Sequence, residues 1–77
     1  MPHVIVKLYP GRSEEMKLEV ASKIVKDVVS MGGCEETSVS VAFEEVDPVD
    51  WPEKVYRPDI IDKEETLIIK PGYNPFE

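Results

Sequence analysis

The chain has 77 residues, with nine basic residues against sixteen acidic ones, a formal net charge of -7, one cysteine and one histidine. That length allows one domain at most, residues 1–77. The lone Cys34 excludes an internal disulfide, and one cysteine with one histidine cannot build a structural zinc site. The basic residues form no run, which makes nucleic acid and anionic membranes poor partners.

No stretch is long enough to span a bilayer, and the first apolar run is too short, and interrupted by Lys7, for a signal peptide. The default is a cytoplasmic protein, in keeping with an unpaired thiol. A chain this short buries a small fraction of its surface and carries no covalent or metal staple, so its stability is expected to come from association with other copies.

The chain opens Met1-Pro2. Methionine is normally trimmed when the next residue is small, and trimming here would leave a proline with a free secondary amine. With Met1 attached, the same nitrogen is an amide and has no basicity. His3 to Leu8 alternate, with Val4, Val6 and Leu8 on one side and His3, Ile5 and Lys7 on the other, which predicts a strand over 3–8. Pro2 falls in register with Val4 and Val6, on the drier face.

Tyr9-Pro10-Gly11-Arg12 reads as a turn. Ser13 reads as a helix N-cap with Glu14 and Glu15 in the first turn. Val20, Ala21, Ile24, Val25, Val28 and Val29 then recur at three- and four-residue spacing, predicting an amphipathic helix over 14–31 that Gly32-Gly33 ends. After the polar link Glu35-Glu36-Thr37, the alternation of Val39, Val41 and Phe43 predicts a second strand over 38–45. Strand, helix, strand with short links is a βαβ unit, whose strands run parallel.

Two strands under one helix do not make a stable domain. The sheet is therefore expected to continue into a second subunit. Beyond Val46 the chain is turn-rich to Pro52. A helical turn is predicted from Glu53 to Arg57, interrupted by Pro58. Asp62-Lys63-Glu64-Glu65 reads as a capping box opening a further turn. Leu67-Ile68-Ile69 reads as a last short strand, Pro71-Gly72 as a turn, and Tyr73 to Glu77 as a tail.

Met1-Pro2-His3, Gly11-Arg12-Ser13-Glu14-Glu15 and Thr37-Ser38-Val39-Ser40-Val41, in this order around a βαβ unit, resemble the 4-oxalocrotonate tautomerase family. Val49-Asp50-Trp51 and Lys70-Pro71-Gly72-Tyr73 are similar to its longer bacterial branch, the PptA-type tautomerases. The resemblance covers nearly the whole chain. It implies an α/β (α+β) fold with the sheet completed by a second subunit. It also implies a homodimer, with a hexamer as the other assembly in the family, and an isomerase that needs no metal and no cofactor. The implied reaction interconverts enol or dienol and keto forms of a small 2-hydroxy-enoate or aryl-pyruvate carboxylate.

The resemblance makes Pro2 the general base. A free α-amino group titrates near ~8, and apolar surroundings or a nearby cation lower that value toward neutrality, where a base both takes and returns a proton. Arg12 matches the family arginine that contacts the substrate carboxylate, a task suited to a planar guanidinium; otherwise it is a solvated loop residue. Ser40 stands where the better-studied short members carry a second arginine, which makes a monocarboxylate substrate the better match. Trp51 stands at the family's aromatic pocket wall, or pins the C-terminal half as a core residue.

His3 reads first as a solvated histidine on a strand, with a second acid or base as its other reading. Cys34 reads as a bystander, and the paired glutamates as solvated faces. Two other functions remain open at this level. One is a cofactor-free dehalogenase-like hydrolase on the same scaffold, and the other is a non-catalytic oligomeric binding module.

Overall fold

The computed structural model describes residues 1–77. The chain divides into two compact units, Met1–Glu45 and Val46–Glu77.

The first unit is a βαβ unit. β1 spans His3–Leu8, α1 spans Glu14–Ser30, and β2 spans Ser40–Glu45. The strands pair in parallel, with His3 opposite Ser40 and Leu8 opposite Glu45. Side chains alternate across a strand, so His3, Ile5 and Lys7 share one face with Ser40, Ala42 and Glu44. Val4 and Val6 share the other with Val41 and Phe43, all four half-buried.

α1 begins where the sequence predicts. Ser13 has extended backbone, and its hydroxyl accepts the Met16 N–H at 3.1 Å, satisfying one of the four N–H groups that a helix start leaves unpaired. Its half-buried stripe is Ala21, Ile24, Val25, Val28 and Val29, while Val20, expected on that stripe, is exposed. The helix ends at Ser30, one residue before the expected limit. Gly32 and Gly33 follow with φ of 88° and 86°, left-handed values that a Cβ would oppose. The link into β2 is a tight turn at Glu36–Ser38, so the second strand starts at Ser40 rather than 38.

The second unit opens on a turn in which the Asp47 carboxylate accepts the Val49 N–H at 3.0 Å. A wide π-helix, Pro52–Ile61, follows. This corrects the expectation that Pro58 interrupts the helix. In a wide helix each N–H reaches the carbonyl five residues back, so Pro58 forfeits one bond, and Asp62 N–H still reaches the Arg57 carbonyl at 2.9 Å. The core of this unit is Val55 and Tyr56, 4% and 6% exposed.

Tyr56 organises the C-terminus. Its hydroxyl donates to the Tyr73 carbonyl at 2.8 Å, and its ring meets those of Tyr73 and Phe76 at centroid distances of 5.9 and 6.1 Å. Tyr73 and Phe76 therefore tie the C-terminal segment to Tyr56, although both rings stay partly exposed. Arg57, bonded through Nε to Glu53 at 2.9 Å, lies 4.5 Å from the Phe76 ring centroid.

Two further expectations are corrected here. The turn at Glu64–Thr66 forms, but no side-chain hydrogen bond caps it; Thr66 instead donates its hydroxyl to the Lys63 carbonyl at 2.7 Å. Leu67–Ile69 is not a strand, because a strand needs a hydrogen-bonding neighbour and the sheet holds only β1 and β2. Ile68 is 97% exposed.

Candidate active site

The start of β1 gathers most of the chemistry. Pro2 is half-buried immediately ahead of the strand. Its carbonyl accepts the Ser40 N–H at 3.1 Å, extending the parallel ladder by one rung. His3 Nδ1 and Ser40 Oγ are hydrogen-bonded at 2.6 Å. The register explains this contact, since each residue opens its strand and the two face each other.

Pro2 also borders a concavity of about 360 Å³, lined with it by Met1, Val28, Met31, Gly32, Gly33 and Cys34. The helix produces this feature. α1 returns its C-terminal end to the start of the strands, and the two glycines carry no side chains that would fill the space. Met1, at the rim of this concavity, is 93% exposed.

The other expected site residues lie elsewhere. Arg12 is exposed and follows the far end of β1. A strand rises ~3.3 Å per residue, so β1 separates the Pro2 backbone from the turn holding Arg12 by roughly 20 Å. Trp51 belongs to the second unit, half-buried at the head of the wide helix. The structure therefore brings Pro2 and Ser40 together and sets Arg12 of the same chain at the opposite end of the strand.

Two residues gain a place that the sequence reading did not give them. His3, read first as solvated, is tied to Ser40. Cys34, read as a bystander, lines the concavity beside Pro2. Hydrophobic patterning signals neither, because both positions depend on strand register and on where the helix ends.

A parallel βαβ unit with a half-buried proline just ahead of its first strand, beside a concavity at the end of the helix, defines a small α/β protein of the βαβ class. The chain belongs to the tautomerase family: the family model described as "Tautomerase enzyme" matches residues 2–52. It is an isomerase of that family.

A "Probable tautomerase" of Xylella fastidiosa is 42% identical over 73 residues, covering 95% of this chain and 89% of that protein. The "Tautomerase PptA" of Pectobacterium carotovorum is 40% identical over 75 residues, covering 96% and 99%. A crystal structure from methicillin-resistant Staphylococcus aureus, of a candidate 4-oxalocrotonate tautomerase, matches with a TM-score of 0.58 and 34% identity over 61% of this chain and 76% of that one. No helix is long and apolar enough to cross a membrane.

Proposed function

We propose that this tautomerase moves a proton within a small enol or dienol carboxylate, a 2-hydroxy-enoate or an aryl-pyruvate enol, and that Pro2 is its base once Met1 has been removed. The supporting observation is the position of Pro2. It is half-buried at the start of β1 and borders a cavity, while the methionine ahead of it is exposed to trimming.

The secondary amine takes the proton of the enol O–H. The electron pair left on oxygen becomes the carbonyl π bond, and the carbon–carbon π pair accepts the proton that the prolinium returns. One proton leaves and one arrives, and no electron is transferred, so the reaction needs neither metal nor cofactor. The half-buried side of the site favours the uncharged amine, the form that can act as a base.

Arg12 anchors the substrate carboxylate in this reading. The length of β1 argues that the anchor comes from a second copy, because within one chain the arginine sits at the wrong end of the strand. Ser40 lines the site beside Pro2, and Trp51 supplies an aromatic wall. A homodimer is supported by the state of the βαβ unit, in which no residue is fully buried. An assembly that lays a second apolar surface on it would supply the missing burial. The protein would work in the cytoplasm, where a lone thiol such as Cys34 stays reduced.

Ultraviolet assays of phenylpyruvate enol and 2-hydroxymuconate ketonisation test the reading. The expected result is turnover by the trimmed protein that falls by about 10²–10⁴-fold in Pro2→Ala, the range of one positioned proton-transfer group. Equal rates in protein and variant would exclude Pro2 as the base. Absence of turnover would favour a binding module.

A further inference from the structure

The Pro2 nitrogen is bonded on one side to the Met1 carbonyl carbon and on the other to its own ring. Both residues line the concavity of about 360 Å³ at the end of α1, so the nitrogen between them lies at its rim. Removal of Met1 frees the nitrogen lone pair in roughly the direction that the Met1 carbonyl carbon occupied. A proton donor must come within about 3 Å of that nitrogen. An arriving enol therefore takes up the ground that Met1 leaves, beside the same walls.

Those walls are Val28, Met31, Cys34 and the two glycines, and none is charged. The one polar side chain is the Cys34 thiol, half-buried and donating to the Val28 carbonyl at 3.9 Å. The charged residues that flank the walls in sequence are Lys26 and Asp27 before Val28, and Glu35 and Glu36 after Cys34, all exposed and mostly acidic. A carboxylate set against such walls gives up water and finds no cation, which is costly. An aryl, vinyl or alkyl group there instead withdraws apolar surface from water. The two ends of a substrate are thus told apart: the carboxylate must look to a cation outside this concavity, the task given to Arg12 above, and the other end faces Val28 and Met31.

We propose that the concavity seats the end of the substrate remote from its carboxylate, and that Val28 and Met31, at the C-terminal end of α1, are specificity-determining residues that select enols whose far end is uncharged. This inference rests on the reading of Pro2 as the base.

The test uses the full chain with Met1 removed and two matched pairs of enols. One pair is 2-hydroxypenta-2,4-dienoate and 2-hydroxymuconate; the other is phenylpyruvate enol and its para-carboxy derivative. Within each pair the far end differs by one carboxylate. In whichever pair is turned over, the wild type favours the uncharged member by about ten-fold or more in kcat/KM. Met31→Arg sets a cation at that end. Met31 is 83% exposed at the helix C-cap, where a basic side chain suits the helix dipole, so this variant folds. It narrows the ratio by about five-fold, the reach of an exposed ion pair. Ser22→Arg adds the same charge at an exposed position of α1, roughly 14 Å away along the helix axis, and leaves the ratio as it was. Val28→Phe, checked for folding by circular dichroism, fills the concavity and lowers kcat/KM for phenylpyruvate enol more than for the smaller dienol. Equal kcat/KM within the pairs, a Met31→Arg ratio that moves no further than that of Ser22→Arg, or an equal loss on both substrates in folded Val28→Phe overturns the placement and leaves the tautomerase reading standing. No turnover of any of the four enols by the trimmed wild type overturns both.

Discussion

An amide nitrogen delocalises its lone pair into the carbonyl, so everything asked of Pro2 depends on whether Met1 remains. The exposure of Met1 makes trimming sterically open. Ser40 matters at the same scale for what it holds. Its hydroxyl is hydrogen-bonded to His3 at 2.6 Å, and its backbone N–H to the Pro2 carbonyl at 3.1 Å. Arg57 is a contrasting case. Its pairing with Glu53, first through hydrogen bonds and then through charge, lowers the Glu53 pKa below the usual carboxylate range. A depressed carboxylate pKa contributes stability above the unfolded value, lost as pH falls through the folded one. Acidification past the ordinary glutamate value of 4.5 and on through the lowered folded value therefore frees Arg57 from Glu53. The effect is small at this exposed site and is read as a shift of the Phe76 ring resonances in an NMR titration. Ring signals that do not move between neutral pH and pH 3 would contradict it.

The elements were mostly legible from patterning. Val4, Val6 and Leu8 mark β1, and Ser13 and Gly32 bracket α1, because capping chemistry and side-chain period are local properties. Replacing Ser13 by alanine is expected to cost about 1 kcal/mol of stability, seen as a lower urea midpoint with an unchanged slope. Lys17 tests the joint between elements. It bonds Glu14 at 2.8 Å within α1 and approaches Glu45 of β2 at 3.8 Å, and Glu14, then Glu45, raise its pKa. A raised lysine pKa contributes stability that is intact below the ordinary value near 10.5 and lost as pH rises through the folded value. Alkaline unfolding should therefore begin at lower pH in Glu14→Gln. What the sequence hid is also explicable. Pro58 misled because the usual proline rule assumes bonds to the fourth residue back, and a wide helix reaches the fifth. Leu67-Ile68-Ile69 misled because an apolar triplet specifies no pairing partner. The packing of Tyr73 and Phe76 on Tyr56 spans too much sequence to be read locally. Tyr56→Phe, which removes only the hydroxyl bond to Tyr73, should cost about 1 kcal/mol and loosen the C-terminus to proteolysis.

For the whole molecule, the site depends on what one chain holds and what it lacks. Pro2, His3 and Ser40 come together through strand register, but Arg12 lies a strand's length away. Its sequence position revealed its chemistry and not its distance from Pro2. If the arginine serves a neighbouring copy, mixing Pro2→Ala and Arg12→Ala subunits restores function. A random mixture of two-fold dimers has intact sites in half of its mixed dimers' pockets, roughly a quarter of all sites. Recovery to that level is expected after co-refolding, and none would place Arg12 outside the partner's site. The same association should make the melting temperature rise with protein concentration, since the βαβ unit alone contains no fully buried side chain.

The most direct measurement compares one protein in two forms, Pro2 exposed by removal of Met1 and Pro2 still capped by it, each verified by intact mass, in ketonisation of phenylpyruvate enol. The trimmed form should turn over substrate, with a pH–rate profile governed by one amine, and the capped form should be inactive though equally folded. Equal rates in the two forms would contradict a free proline nitrogen as the base.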